Sequence, residues 1–179
     1  MKDRASMVYV RENTDSPLIV AEIGLWVGDN ARHLMDLNLE RLFLIDPYKA
    51  YERHTQEEVD EAMGIALPKI ASHRNAHKTS FIRMESVKAA KLFGDEYFDY
   101  IYIDGDHTLE GAAEDLEAWW PKVKSGGYFA GHDYSSSLGV MKAVDGFCGE
   151  NGLDVRTWAP RRAEDGPMHL ADWLIEKKG

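Results

Sequence analysis

At 179 residues with 44% hydrophobic content, the chain is long enough to bury a real core and suits a single domain spanning residues 1–179. Its 21 Lys+Arg against 31 Asp+Glu give a formal net charge of -10, which argues against nucleic acid and anionic membranes as partners and favours a small-molecule or neutral acceptor. A single cysteine, Cys148, excludes an internal disulfide, and Met1 to Pro17 holds no long apolar run that would serve as a signal or anchor, so the expected setting is reduced and cytoplasmic.

The opening segment, Met1 to Ser16, is polar and mixed in charge, with Val8, Tyr9 and Val10 the only hint of order, and is assigned no element. Leu18 to Ile23 is a nearly continuous apolar run, interrupted by Glu22, and reads as a buried strand. Gly24 and Gly28 then bracket a tight turn into a helix over Asn30–Leu37, with Asp29 as its N-cap and Leu34 and Met35 facing the sheet. Arg41 to Asp46 is a second strand, ending on an acid and closed by Pro47. From Gln56, Val59, Met63, Ala66, Leu67 and Ile70 form the stripe of an amphipathic helix that Pro68 is expected to kink. Ser80–Met84 is a third strand, and Glu85-Ser86 opens a short helix through Phe93 with Ser86 as its cap.

Phe98 to Tyr134 is the organising stretch: a buried fourth strand, a turn rich in ionisable groups, a helix ending near Pro121, a Gly-Gly stop and a fifth strand over Tyr128–Asp133. A strand–helix–strand unit makes its two strands parallel, so Asp104, Asp106 and His107 share one sheet edge with His132 and Asp133. Trp119 and Trp120 read as helix-to-sheet packing. A sixth helix over Leu138–Glu150 follows, then two strand-like runs, Leu153–Trp158 and Leu170–Glu176. The link between them is too short for a helical crossover, which makes them antiparallel neighbours, with Arg161 to Asp165 a solvated hairpin tip. The fold class is therefore α/β: a doubly wound, mostly parallel, seven-stranded sheet with an antiparallel last strand.

Three successive strands end in ligand-capable groups: Glu22 with the glycine turn, Asp46, and Glu85 with Ser86. An acid at the end of the second strand is placed to accept hydrogen bonds from both hydroxyls of a ribose, and together the three ends outline a nucleoside pocket. Glycines four apart with Trp26 between them do not make the three-glycine dinucleotide fingerprint, which weakens a nicotinamide-dependent oxidoreductase as the rival enzyme. A cofactor-binding scaffold without activity is the rival outside enzymes.

In its blocks EIGLWVGDNA, LIDPY, IDGDHTLEGAAEDL and KSGGYFAGHDY, in that order, the chain resembles class I S-adenosylmethionine-dependent methyltransferases, with the nearest likeness to O-methyltransferases of the macrocin and catechol/caffeoyl-CoA kinds. The resemblance implies that Gly24 and Gly28 line the methionine part of the cofactor, Glu22 supports that loop, Asp46 holds the ribose, Glu85 and Ser86 face the adenine, and Asp104 belongs to the same cofactor edge. It implies methylation of a small-molecule hydroxyl, on a sugar or phenolic product, with helices ahead of the first strand covering the acceptor. Only some seventeen residues precede that strand here, so either the site is open or a second subunit of a homo-oligomer closes it.

His107 stands where the caffeoyl-CoA type has its presumed lysine base. An imidazole there suits a catalytic base, a group supporting a metal, or a hydrogen bonder at the helix start. The resemblance also implies a divalent cation, Mg²⁺ or Mn²⁺, held by Asp104, His132 and Asp133; the alternative is that His132 and Asp133 merely close the strand and bond the loop of Ser135 to Ser137.

Overall fold

The middle strands of the central sheet are buried on both faces, and the computed structural model covers those faces with helices on either side. Residues 4–51, 54–135, 139–158, 161–162, 168–169 and 171–179 are described. In chain order the elements are helix α1 (Ala5–Glu12), strand β1 (Leu18–Ile23), α2 (Asp29–Leu34), β2 (Leu39–Ile45), α3 (Gln56–Ala71), β3 (Thr79–Ile82), α4 (Ser86–Ala90), β4 (Phe98–Ile103), α5 (Leu109–Trp119), β5 (Val123–Tyr134), α6 (Gly139–Asn151), β6 (Val155–Thr157), β7 (Arg161–Arg162), β8 (Met168–His169) and β9 (Ala171–Glu176).

The seven-stranded sheet has the order β3-β2-β1-β4-β5-β9-β6, and its first five strands are parallel. The strand β9 runs antiparallel between β5 and β6, pairing Phe129 with Ile175 and Arg156 with Leu174. The order reverses between β1 and β4, the crevice where such sheets bind ligands. Alternation along β4 shows how the layers form: Tyr100 and Tyr102 join Leu34, Met35 and Val59 in one core, while Ile101 and Ile103 join Leu116, Trp119 and Val144 in the other.

Several local expectations are corrected. The unassigned opening segment contains α1, which buries Met7 and Val10. Gly28, at φ 72, is the N-cap of α2, and Asp29 is that helix's first residue and pairs with Lys69. Helix α3 starts at Gln56 as expected, on a capping box between Thr55 and Glu58, and contains Pro68, whose carbonyl accepts from Ser72. Glu85 rather than Ser86 caps α4. As expected, Trp119 and Trp120 pack on the core, Trp119 fully buried, and Pro121 ends α5 in a 3₁₀ turn that begins at Trp120. Arg161 and Arg162 pair with β8, and Ala163, Glu164 and Asp165 of the expected tip lie outside the described residues, as do Ser136, Ser137, Leu138 and Leu170. Among the described residues no helix is long and apolar enough to cross a membrane.

Candidate active site

The crevice starts from β1. Gly24 adopts φ 88, and a Cβ there would lie 2.1 Å from the Asp104 carbonyl oxygen, so only glycine lets the first loop meet the turn after β4. Gly24 N–H donates to the Ile45 carbonyl and Asp104 N–H to the Ile23 carbonyl, which laces the ends of β1, β2 and β4 together. Gly28 presents its Cα towards Ala66 of α3, with a Cβ there meeting the Ala66 Cβ at 3.2 Å. Glu22 is fully buried; its Oε1 accepts from Asn30 Nδ2 at 2.8 Å, and its Oε2 has no partner among the described residues. Burial pushes its carboxyl well above the usual carboxylate range.

Asp46, just past β2, is the tie of the first loop. Its Oδ2 accepts from the Leu25 and Trp26 N–H groups at 2.8 and 3.3 Å, and its Oδ1 accepts from the Tyr48 N–H at 2.7 Å. The Tyr48 hydroxyl then donates to the Trp26 carbonyl, so the two non-glycine residues of positive φ in this region, Trp26 and Tyr48, are pinned to each other. Glu85 faces solvent between Lys49 and Lys88. Ser86 turns inward: its hydroxyl donates to Asp115 Oδ1 and accepts from Trp119 Nε1 at 2.8 Å. Burial raises the Asp115 carboxyl to about 6.

The ends of β4 and β5 bring four ionisable groups together. His107 Nε2 lies 2.8 Å from Asp133 Oδ2 and 3.8 Å from Asp104 Oδ1, yet its N–H aligns with neither carboxylate, leaving it buried without a directed hydrogen bond among the described residues. The carboxylates of Asp104 and Asp133 push the His107 pKa up to about 10. Burial would raise the Asp133 carboxyl, but the imidazoles of His107 and His132 outweigh it and hold it below the usual range. Asp133 itself has φ 58, a left-handed backbone that few aspartates adopt, at an irregularity in β5–β9 pairing between Gly131 and Tyr134.

This irregularity separates the two histidines. Asp104, His107 and Asp133 each offer one ligand atom, and these atoms lie within 4.8 Å of one another. His132 is not in that group: its Nδ1 rests 2.8 Å from Asp133 Oδ1, on that residue's other oxygen, and its Nε2 is buried without a partner among the described residues. The cluster of three thus contains His107, whereas the set implied by the resemblance named His132. Sequence reasoning also missed Arg4, Asn30, Tyr48 and Asp115. For Arg4 the only trace is the three-residue step from Met7 to Val10, too short to announce a helix.

A model described as a methyltransferase domain matches residues 21–134. The chain belongs to the methyltransferase-domain family. With its fold, that makes it a class I S-adenosylmethionine-dependent methyltransferase, and the nicotinamide reading falls. Comparison with curated protein sequences returns no match. Among solved structures, this methyltransferase resembles an rRNA methylase from Streptococcus thermophilus, with TM-score 0.68 and 16% identity over 97% of this chain and 95% of that one. A precorrin-6y C5,15-methyltransferase from Geobacter metallireducens matches with TM-score 0.68 and 16% identity, covering 97% and 87%. A candidate methyltransferase from Streptococcus mutans, solved with S-adenosylhomocysteine (SAH), matches with TM-score 0.68 and 14% identity, covering 98% and 99%.

The partner expectation is corrected by these likenesses. A protein of the same fold, matched nearly end to end, is described as an rRNA methylase, so the net charge of -10 does not exclude nucleic acid, and the small-molecule acceptor inferred alongside it is withdrawn. The physical reason is that net charge describes the far field of the whole surface, whereas an acceptor is recognised by the few groups around one reacting atom.

Proposed function

We propose that this methyltransferase methylates a hydroxyl oxygen, with a divalent cation held by Asp104, His107 and Asp133. The carrying observation is the convergence of those three side chains at the carboxyl ends of β4 and β5. Two carboxylates and one imidazole are a donor set for Mg²⁺ or, with the nitrogen, Mn²⁺ or a later ion. The His107 Nε2, buried beside two carboxylates without a directed bond, fits such a role. When bound, the ion would polarise the acceptor hydroxyl and lower its pKa.

The cofactor supplies an electrophilic methyl on a sulfonium, and the residues of the crevice fit it. Asp46 stands at the ribose position with one oxygen, Oδ1, accepting a single N–H and so retaining a free lone pair. Glu22 offers the unpartnered buried Oε2 beside the glycine turn. Ser86 fits the adenine wall through its backbone, because its hydroxyl is spent on Asp115. Asp104 and Asp133 orient the acceptor. His107 holds its proton at neutral pH and so is not a base in the unloaded site; deprotonation accompanies its use as a ligand. A lowered hydroxyl pKa then eases the need for any strong base.

The test is to strip the protein with a chelator, add radiolabelled S-adenosylmethionine and a panel of hydroxyl acceptors including catechols, glycosides and RNA, and titrate back Mg²⁺, Mn²⁺ and Co²⁺. Methyl ethers formed only on metal addition support the reading. Full activity in the stripped protein, methylation at carbon or nitrogen, or cofactor binding without turnover on any acceptor each contradict it.

A further inference from the structure

Arg4 stands beside the crevice with most of its bonding capacity unspent among the described residues. Its Nε donates to Asn30 Oδ1 at 3.4 Å, and its Nη2 lies 3.8 Å from Asp104 Oδ2, beyond hydrogen-bond reach. A guanidinium offers five N–H donors in a planar fork, so one long bond leaves the fork almost empty. The position is nonetheless well fixed. Directly after it, α1 buries Met7 and Val10, and Ser6 donates to Asp172 Oδ2 from both its N–H and its hydroxyl, at 3.0 and 2.8 Å. Tyr102, on β4, donates to the other oxygen of Asp172. A buried clamp thus holds a cation at the site.

The surroundings of that cation are complementary to one kind of ligand group. Asp104 has basic side chains at 3.8 Å on both oxygens, Arg4 on one and His107 on the other, with neither close enough for a hydrogen bond. Asn30 links Arg4 to Glu22, whose Oε2 is buried and unpartnered among the described residues. Carboxylate acceptors and an open guanidinium side by side suit an α-amino acid zwitterion: acids for its ammonium, a fork for its carboxylate.

We propose that Arg4 is a cofactor-binding residue that clasps the carboxylate of the methionyl end of S-adenosylmethionine. The inference rests on the reading that the crevice binds this cofactor. Arg4 lies outside residues 21–134, so the contact belongs to this chain's own first helix rather than to the matched domain. Its consequence is specificity: the protein selects cofactors that keep the amino-acid carboxylate.

The test is calorimetry with SAH and with its decarboxylated analogue, S-adenosyl-3-thiopropylamine, on the wild type, Arg4→Gln and Arg4→Lys. The wild type should prefer SAH by about tenfold or more, Arg4→Gln should lose about that factor for SAH alone, and Arg4→Lys should fall between, the scale of one charge-assisted contact. Because the readout is a ratio within each variant, general loosening of α1 does not mimic it. Equal weakening of both ligands in Arg4→Gln, or no weakening, overturns the proposal. A wild type that binds neither ligand overturns the cofactor reading, and the proposal with it, while a wild type that binds both equally removes Arg4 alone.

Discussion

At the end of β2, Asp46 spends its carboxylate on three backbone N–H groups of its own loops, whereas at the ends of β4 and β5 His107 and His132 each keep a buried Nε2 without a bonded partner among the described residues. Both regions lie on the same sheet edge and both are acidic. One is satisfied by the chain itself, and the other is held together by ion contacts that include two of 3.8 Å. Buried polar atoms are expensive to leave unbonded, about 1–3 kcal/mol each, so such a cluster persists where a ligand completes it. On the proposed reading the difference separates scaffold from reaction centre: the β1–β2 side would shape the loop that receives the cofactor, and the β4–β5 side would carry the chemistry.

The largest expected effect tests the reaction side. Asp133→Asn removes the anion shared by both histidines, and turnover should fall about 100-fold or more with SAH affinity within about twofold of wild type. Wild-type turnover in this variant would erase the distinction between the two sides. On the scaffold side, Asp46→Ala should weaken SAH binding about tenfold and also lower stability by about 2 kcal/mol, several degrees in melting midpoint, because three N–H groups lose their acceptor. An unchanged midpoint with weakened binding would mean that Asp46 serves the ligand alone.

A smaller effect appears in the pH dependence of stability. His107 has its folded pKa raised to about 10 by Asp104 and Asp133, above the ordinary 6.5. The stabilisation from its protonated form is therefore fully present below about 6.5 and is lost as pH rises through about 10. Urea midpoints of wild type and His107→Gln, compared from pH 6 to 10, should converge with rising pH; a gap that widens reverses the sign and contradicts the assignment. Smallest is Ser86→Ala, expected to cost about 1 kcal/mol through the Trp119–Ser86–Asp115 chain while leaving SAH affinity unchanged. A drop in affinity would return the Ser86 hydroxyl to the adenine.

The sheet was legible because strands buried on both faces read as continuous apolar runs, as FDYIYI does in β4, and because acids at successive strand ends mark the edge that binds ligands. Direction was not legible. That His107, on the turn after β4, joins Asp104 and Asp133 while His132 rests on the other Asp133 oxygen is an arrangement in space that alternation of residues does not encode. The Ser86 hydroxyl is captured by Asp115, 29 residues further on, a long-range contact invisible to local capping rules. Helix α1 escaped notice because its apolar residues, Met7 to Val10, run consecutively over a short stretch and carry almost no periodic signal, although its clamp on Asp172 lies near the other end of the chain.

Divalent-ion binding at the β4–β5 edge is measured most directly by titrating chelator-treated protein with Mn²⁺ and following the free ion by electron paramagnetic resonance, in wild type, His107→Ala and His132→Ala. The account predicts one site in the wild type, an affinity about tenfold or more weaker in His107→Ala, and near wild-type affinity in His132→Ala, since His107 and not His132 converges with Asp104 and Asp133. No binding in the wild type, or loss in His132→Ala with retention in His107→Ala, would contradict it.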